Sequence, residues 1–250
     1  MDTQNREKNV FIQAAVEMNE GDGVAVHRLF PVTRDRMNFD PFVLWDNFNI
    51  EPGHGFPTHP HRGFEAITYM FNGSIEHKDN IGNQSRVTSG GVQRFTAGRG
   101  LEHSEMPDTQ ESSNGIQLWI NLAQELKSIE PSYQQVDKDN IPLKKIKGGK
   151  IRVIVGDDSP VELKTVVRYL DVALDSNATL IERVDENFRG FIYLLSGQLS
   201  VNTQSVGQQQ AYFFENIEEL EIKAALESHF MLCMGKPHKE PIRQHGPFVD

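Results

Sequence analysis

Cysteine is almost missing from this chain, for Cys233 is the only thiol in 250 residues. An intrachain disulfide framework is therefore excluded, and a reducing compartment is the natural home. Positive charge is also short. Lys and Arg number 25 against 35 Asp and Glu, a formal charge of −10, whereas non-specific binding to nucleic acid needs a basic footprint that displaces counterions from phosphates. Direct nucleic-acid binding is not expected. No apolar run reaches the length of a membrane span, and the opening MDTQNREKNV has neither the basic start nor the apolar stretch of a signal peptide. The chain reads as cytoplasmic and monomeric, with no membrane contact.

Helical periodicity is scarce too, which turns attention to what is present. Short β-rich runs recur between Gly, Pro and Asn punctuation: FEAITYMF (64–71), IQLWINL (116–122), IRVIVG (151–156), VVRYLDVAL (166–174), GFIYLLSG (190–197) and AYFFEN (211–216). Many short strands at this spacing predict an all-β protein of sandwiches or barrels. A hydrophobic content of 38% is enough to fill their cores. Residues 123–150 are polar and charged, carry two prolines and read as a surface connection. They divide an N-terminal domain, 1–130, from a C-terminal one, 131–250. An internal echo supports two units of one plan: a shift of 124 lays ITYMFNGSI (67–75) over FIYLLSGQL (191–199), Tyr69 on Tyr193 and Gly73 on Gly197. The same shift puts Arg183 and Asp185 where His59 and His61 stand, so the second unit is expected to lack whatever the histidines do.

Those histidines carry the chemistry. Side chains alternate across a strand, so His59 and His61 share one face, and Glu65 shares it too as long as the extended conformation continues. In TAGRGLEHSEMP (96–107), His103 and Glu105 are again two apart, and Gly98 and Gly100 permit a tight turn that aims them inward. Two such pairs on neighbouring strands converge as three imidazoles and a carboxylate, a donor set for a first-row transition metal. A tetrahedron of the four would be a structural zinc site; an octahedron leaves two positions for water, dioxygen or a chelating substrate.

HPHRGFE, TAGRG followed by HSEMP, GIQLWINL and EPIRQHGPFV resemble signature stretches of pirins, bicupin proteins of the cupin superfamily, over about residues 25–249. The resemblance implies two stacked cupin barrels in one chain, with metal only in the first. It implies His59, His61, His103 and Glu105 as ligands, the same set that strand parity reaches. General cupins would instead place the carboxylate at Glu65, and we expect Glu105 to be the ligand and general base, with Glu65 behind it. The implied activity is that of a quercetin 2,3-dioxygenase: oxidative ring cleavage of a flavonol by O2, with release of carbon monoxide. Fe(II) is the expected metal, and the same donors suit Zn, Ni, Cu or Mn. The alternatives are a metal-dependent regulatory protein that docks a protein partner, as a transcription co-regulator does, and a bicupin that keeps zinc for stability.

Other residues carry smaller expectations. His54 and His77 read as surface histidines. Phe39, Phe42, Trp45 and Phe48 read as core, and Phe56 and Met106 as an apolar wall beside the metal. Arg94 stands where pirins usually have an aromatic, Ala123 where they commonly have proline, and pirin-like chains tend to continue past GPFV into a helical tail. Arg94 is expected to face solvent.

Overall fold

The computed structural model describes residues 9–20, 23–107 and 110–250, and these are strands joined by turns, with two single 3-10 turns at Gln124–Leu126 and Lys138–Asn140. No helix among the described residues is long and apolar enough to cross a membrane. Two compact units result. One contains the described residues of 16–141 with 160–165 and 238–250; the other contains the described residues up to Ala15 with 142–159 and 166–237.

Each unit packs a seven-stranded antiparallel sheet against a four-stranded one, and the two strand orders match except that one outermost strand follows the others in the chain in the first unit and precedes them in the second. In the first unit the large sheet runs in the order Ser132–Val136, Val92–Thr96, Phe64–Asn72, Ser113–Asn121, Phe42–Ile50, Val24–Phe30 and Val16–Asn19. In the second unit it runs Asn9–Ala14, Gln210–Glu215, Arg189–Ser196, Ser228–Gly235, Val167–Leu174, Gly149–Val155 and Leu143–Ile146. The echoed segments, with Tyr69 and Tyr193, occupy the third place in each. Such paired sheets closing on a common core are cupin barrels, and the chain has two.

The units are not the contiguous stretches 1–130 and 131–250. Asn9–Ala14 pairs with Gln210–Glu215 in the second unit, while residues 238–250 belong to the first. The connection at 123–150 is not a loop either. Ser132–Val136 pairs with Val92–Thr96, and Leu143–Ile146 pairs with Gly149–Val155. Both are outermost strands, with one side unpaired, and such positions favour the charged and polar residues that made the segment look like a loop. Arg94 is another departure: it is buried at 7% exposure, donating to Ser132 Oγ at 2.8 Å and to Thr96 Oγ1 at 3.3 Å. Added polar partners on the edge strand let this arginine sit inside.

The cores of the two units differ. In the second, one continuous apolar cluster runs from Ile151 and Leu170 through Phe214 and Phe230 to Leu220 and Ile222. Its small-sheet strand Thr179–Arg183 turns Leu180 and Glu182 inward and leaves Arg183 exposed, with Glu182 paired to Arg168. In the first unit one apolar cluster forms around Val24, Phe48, Met70 and Ile75, and another around Val43, Phe64, Phe95 and Leu101. Polar groups lie beside both.

One backbone position sets which residues join those groups. After His61 the strand breaks at Arg62 and Gly63, where φ reaches +85°. When Phe64–Asn72 resumes, Glu65 faces away from the side that His61 faces. A Cβ on Gly63 would lie 1.8 Å from the carbonyl oxygen of Val249. Gly63→Ala is expected to cost about 2 kcal/mol or more, from the left-handed backbone together with the clash, and so to lower Tm by ~4 °C or more in thermal unfolding. Gly82→Ala, at φ +98° with nothing near its Cβ position, should cost visibly less.

Candidate metal centre

The small sheet of the first unit contains Phe56–His61, Leu101–Pro107, Ser74–Asp79 and Gln84–Thr88, in that order. Alternation along Leu101–Pro107 is clean: Leu101, His103, Glu105 and Pro107 are buried, while Glu102 and Met106 are exposed. His103 pairs in register with His59, and Leu101 with His61. Between His103 and Glu105 the ladder slips, so that Glu105 meets Phe56, three residues before His59. The extra residue falls in the Phe56–His61 strand before His59, so His59 and His61 keep regular pairing and share one side.

His59, His61 and His103 meet, with ring centroids 4.6 to 4.9 Å apart and their ligand nitrogens mutually within 4.8 Å. Glu105 does not join that triad directly. It forms an overlapping group with His103 and His77, in which the ligand atoms again lie within 4.8 Å. The structure thus brings the four expected residues to one place through His103, the member common to both groups. Glu65 is elsewhere: its carboxylate accepts the Thr96 hydroxyl at 2.8 Å and the backbone N–H groups of Lys164 and Thr165 at 2.9 and 3.1 Å.

His77 is a correction to the sequence reading. It is fully buried rather than on the surface, lies within hydrogen-bond reach of His103 Nδ1 and Asp79, and stacks on Tyr133 at 4.1 Å. The signal was available, because Ile75, His77 and Asp79 alternate on one side of a strand as surely as His103 and Glu105 do. Met106 also departs from expectation, since at 37% exposure it faces outward and walls nothing. Phe56 does line the cavity. Phe42, Trp45 and Phe48 are buried as expected, while Phe39 and His54 are half-buried.

The ring nitrogens are arranged for a ligand. His59 Nδ1 sits 2.7 Å from the Pro57 carbonyl and His61 Nδ1 3.4 Å from the Pro247 carbonyl, and a carbonyl can only accept. Each ring therefore carries its proton on Nδ1 and offers a bare Nε2. His103 Nδ1 faces His77 Nδ1 at 3.3 Å, while His103 Nε2 is buried with no hydrogen-bond partner among the described residues. A buried imidazole nitrogen without a partner is costly unless something else fills its lone pair. The donor set and this orphaned nitrogen fit a divalent first-row metal.

Electrostatics agree with that fit. Burial lowers the pKa of His59, pulls His61 down to about 3 with help from His59, and pulls His103 lower still. All three rings are neutral near pH 7, as metal ligands must be. Burial pushes the Glu105 carboxyl up to about 7, against the hydrogen bonds that hold it. Gln93 Nε2 donates to Glu105 Oε1, and the Thr68 hydroxyl divides its one proton between that oxygen at 3.2 Å and Gln117 Oε1 at 2.6 Å. A cavity of about 410 Å³ opens beside the site, lined by His59, His61 and Glu105, by Phe48, Ile50, Phe56 and Ile75, and by Gln244, Gly246 and Pro247 near the chain's end.

Two cupin barrels with a histidine-rich site in one of them define the class, a bicupin. Within that class, the family description "Pirin" matches residues 23–120 and "Pirin C-terminal cupin domain" matches 169–250. The chain is 38% identical to "Pirin" from Homo sapiens over 245 residues, covering 93% of this chain and 84% of that one. Among solved structures, a "Quercetin 2,3-dioxygenase" from Acinetobacter baumannii superposes with a TM-score of 0.85 at 27% identity, over 96% of this chain and 90% of that one. A "bacterial pirin YhhW in complex with nickel(II)" from Escherichia coli shares the fold, with a TM-score of 0.77 at 23% identity over 92% of this chain and 99% of that one. This chain belongs to the pirin family.

Elemental analysis of the metal-loaded chain should find about one tightly held ion, and His61→Ala should abolish it without unfolding the second unit. Glu65→Gln should retain the ion, since that carboxylate faces other partners.

Proposed function

We propose that this pirin is a metal-dependent dioxygenase that cleaves the ring of a flavonol-like aromatic, using His59, His61, His103 and Glu105 as ligands to one divalent metal, Fe(II) foremost. The observation that supports it best is the partnerless Nε2 of His103 beside two further imidazoles in the wall of a cavity large enough for an aromatic substrate. The likeness to a quercetin 2,3-dioxygenase supports the substrate class.

A bound metal of this kind supplies Lewis acidity and a meeting place for dioxygen and a chelating hydroxyl. The chain's own residues do the rest. Phe48, Ile50, Phe56 and Ile75 give the cavity an apolar wall that grips aromatic faces and excludes bulk water. Glu105, ionised when it faces the metal, is the carboxylate in the cavity wall that can take the proton of the substrate's hydroxyl. Gln93 and Thr68 hold the carboxylate in place and favour its charged form. Loss of Glu105 should therefore hurt both binding and chemistry.

Oxygen uptake with a flavonol, together with carbon monoxide release, tests the activity. Glu105→Gln is expected to weaken metal binding and, at saturating metal, to lower turnover by about 10²-fold or more, whereas Glu65→Gln should stay within about a few-fold of wild type. Bound metal with neither oxygen uptake nor carbon monoxide would favour a regulatory protein that docks a partner.

Proton release on metal loading tests the ligand role without turnover. Coordination needs the ionised carboxylate and neutral imidazoles, so a Glu105 titrating near 7 should release about 0.9 proton at pH 6 and about 0.1 at pH 8. In Glu105→Gln that difference should vanish.

A further inference from the structure

We propose that Asp79 and His77 are positioning residues for the metal centre: a carboxylate–imidazole relay that fixes the tautomer of His103 and places a negative charge behind it. The inference deepens the metal reading above and is independent of which substrate the site takes.

The proton assignments follow from what surrounds Asp79. Its Oδ1 accepts the backbone N–H groups of Ile81 and Asn83 at 3.1 and 2.8 Å, and its Oδ2 accepts the Asn83 side-chain amide at 2.8 Å. His77 Nε2 lies 3.1 Å from the same Oδ2, and neither of these two side chains is exposed to solvent. Three fixed N–H donors, from Ile81 and Asn83, hold this carboxyl in its ionised form, below the usual carboxylate range, and opposite an ionised oxygen His77 Nε2 must carry the hydrogen. A neutral imidazole has one N–H. His77 Nδ1 is then an acceptor, and the nitrogen 3.3 Å from it, His103 Nδ1, must be the donor. That leaves His103 Nε2 bare, and Nε2 is the atom found buried without a partner among the described residues.

Every proton along Asp79, His77 and His103 is thereby assigned, and the chain ends on the lone pair that a metal would take. Stacking on Tyr133, at 4.1 Å and 18° between planes, holds the His77 ring in the orientation that both hydrogen bonds require. The other two imidazoles are backed differently. His59 and His61 lean on neutral backbone carbonyls, of Pro57 and Pro247. His103 alone of the three is linked, through a second ring, to an ionised carboxylate. Such backing makes a ligand imidazole more basic and binds the metal more tightly, and the added electron density favours the more oxidised ion.

The tautomers can be read with no metal present. In the metal-free wild-type protein, two-bond ¹⁵N–¹H correlation spectra of the histidine rings should show His77 as the Nε2–H form and His103 as the Nδ1–H form. A His103 protonated on Nε2 would overturn the relay. With Fe(II) as the probe, Asp79→Asn should bind at least 10-fold more weakly than wild type and shift the Fe(III)/Fe(II) potential to more positive values. His77→Asn separates charge from orientation, because its side-chain oxygen falls near the position of Nδ1 and can still accept from His103 while the link to Asp79 is cut. It should share the positive shift in potential. Unchanged potentials in both variants with iron bound would reduce the pair to a structural contact and overturn the proposal. Wild-type protein that takes up no metal would instead overturn the metal reading, and the metal-free spectra would still decide the relay.

Discussion

Three neutral imidazoles held together inside a β-barrel are the constraint on which this unit depends. Each ring is buried or half-buried, each has its Nδ1 within hydrogen-bond reach of a partner, and their nitrogens crowd within a few ångströms of one another. Protonation there would place like charges together in a medium that solvates them poorly, which is why the ring pKa values fall. Much of the neighbouring structure serves this arrangement. The His-Pro-His stretch pairs in register with Leu101 to His103, and Gly63 ends it. Near the chain's end, Pro247 supplies the carbonyl for His61, while Lys127 Nζ bonds the carbonyls of Gly63 and Val249 at 3.0 and 2.8 Å. Arg62 pairs with Asp250 at 2.9 Å and lies over the Phe248 ring.

The second unit fills the same topology with apolar side chains. Its small-sheet strand Glu219–Ala224 turns Leu220, Ile222 and Ala224 inward, and the apolar cluster continues through the barrel. A dry core of this kind is the more stable filling for a β-barrel, because buried polar groups must be paired to be tolerated. The first unit gives up that filling beside its cavity. Polar residues placed at the expense of packing are the mark of a functional site.

How much of this was legible in the sequence depended on whether strand alternation stayed local. Parity along Leu101–Pro107 placed His103 and Glu105 inward, and the glycines ahead of them marked the turn. From His61 to Glu65 parity holds only along an unbroken strand, and Gly63 reverses the face. His77 looks isolated in the sequence, although Ile75 and Asp79 flank it at the spacing of one strand face. Its importance comes from a partner 26 residues away, His103, and that contact belongs to sheet pairing rather than to local pattern. Arg94 and the 123–150 segment differ from expectation for a related reason: polarity does not imply exposure where an edge strand brings its own polar partners, as Ser132 does for Arg94. The exchange that puts Asn9–Ala14 into the second unit left no trace in composition at all.

Imidazole coordination at this one position is tested most directly by X-ray absorption fine structure on the iron-loaded chain. Outer-shell scattering should fit three histidine rings with the remaining first-shell donors oxygen, and one ring should be lost in His103→Ala. A fit with one ring or none, or a spectrum unchanged by His103→Ala, would contradict it.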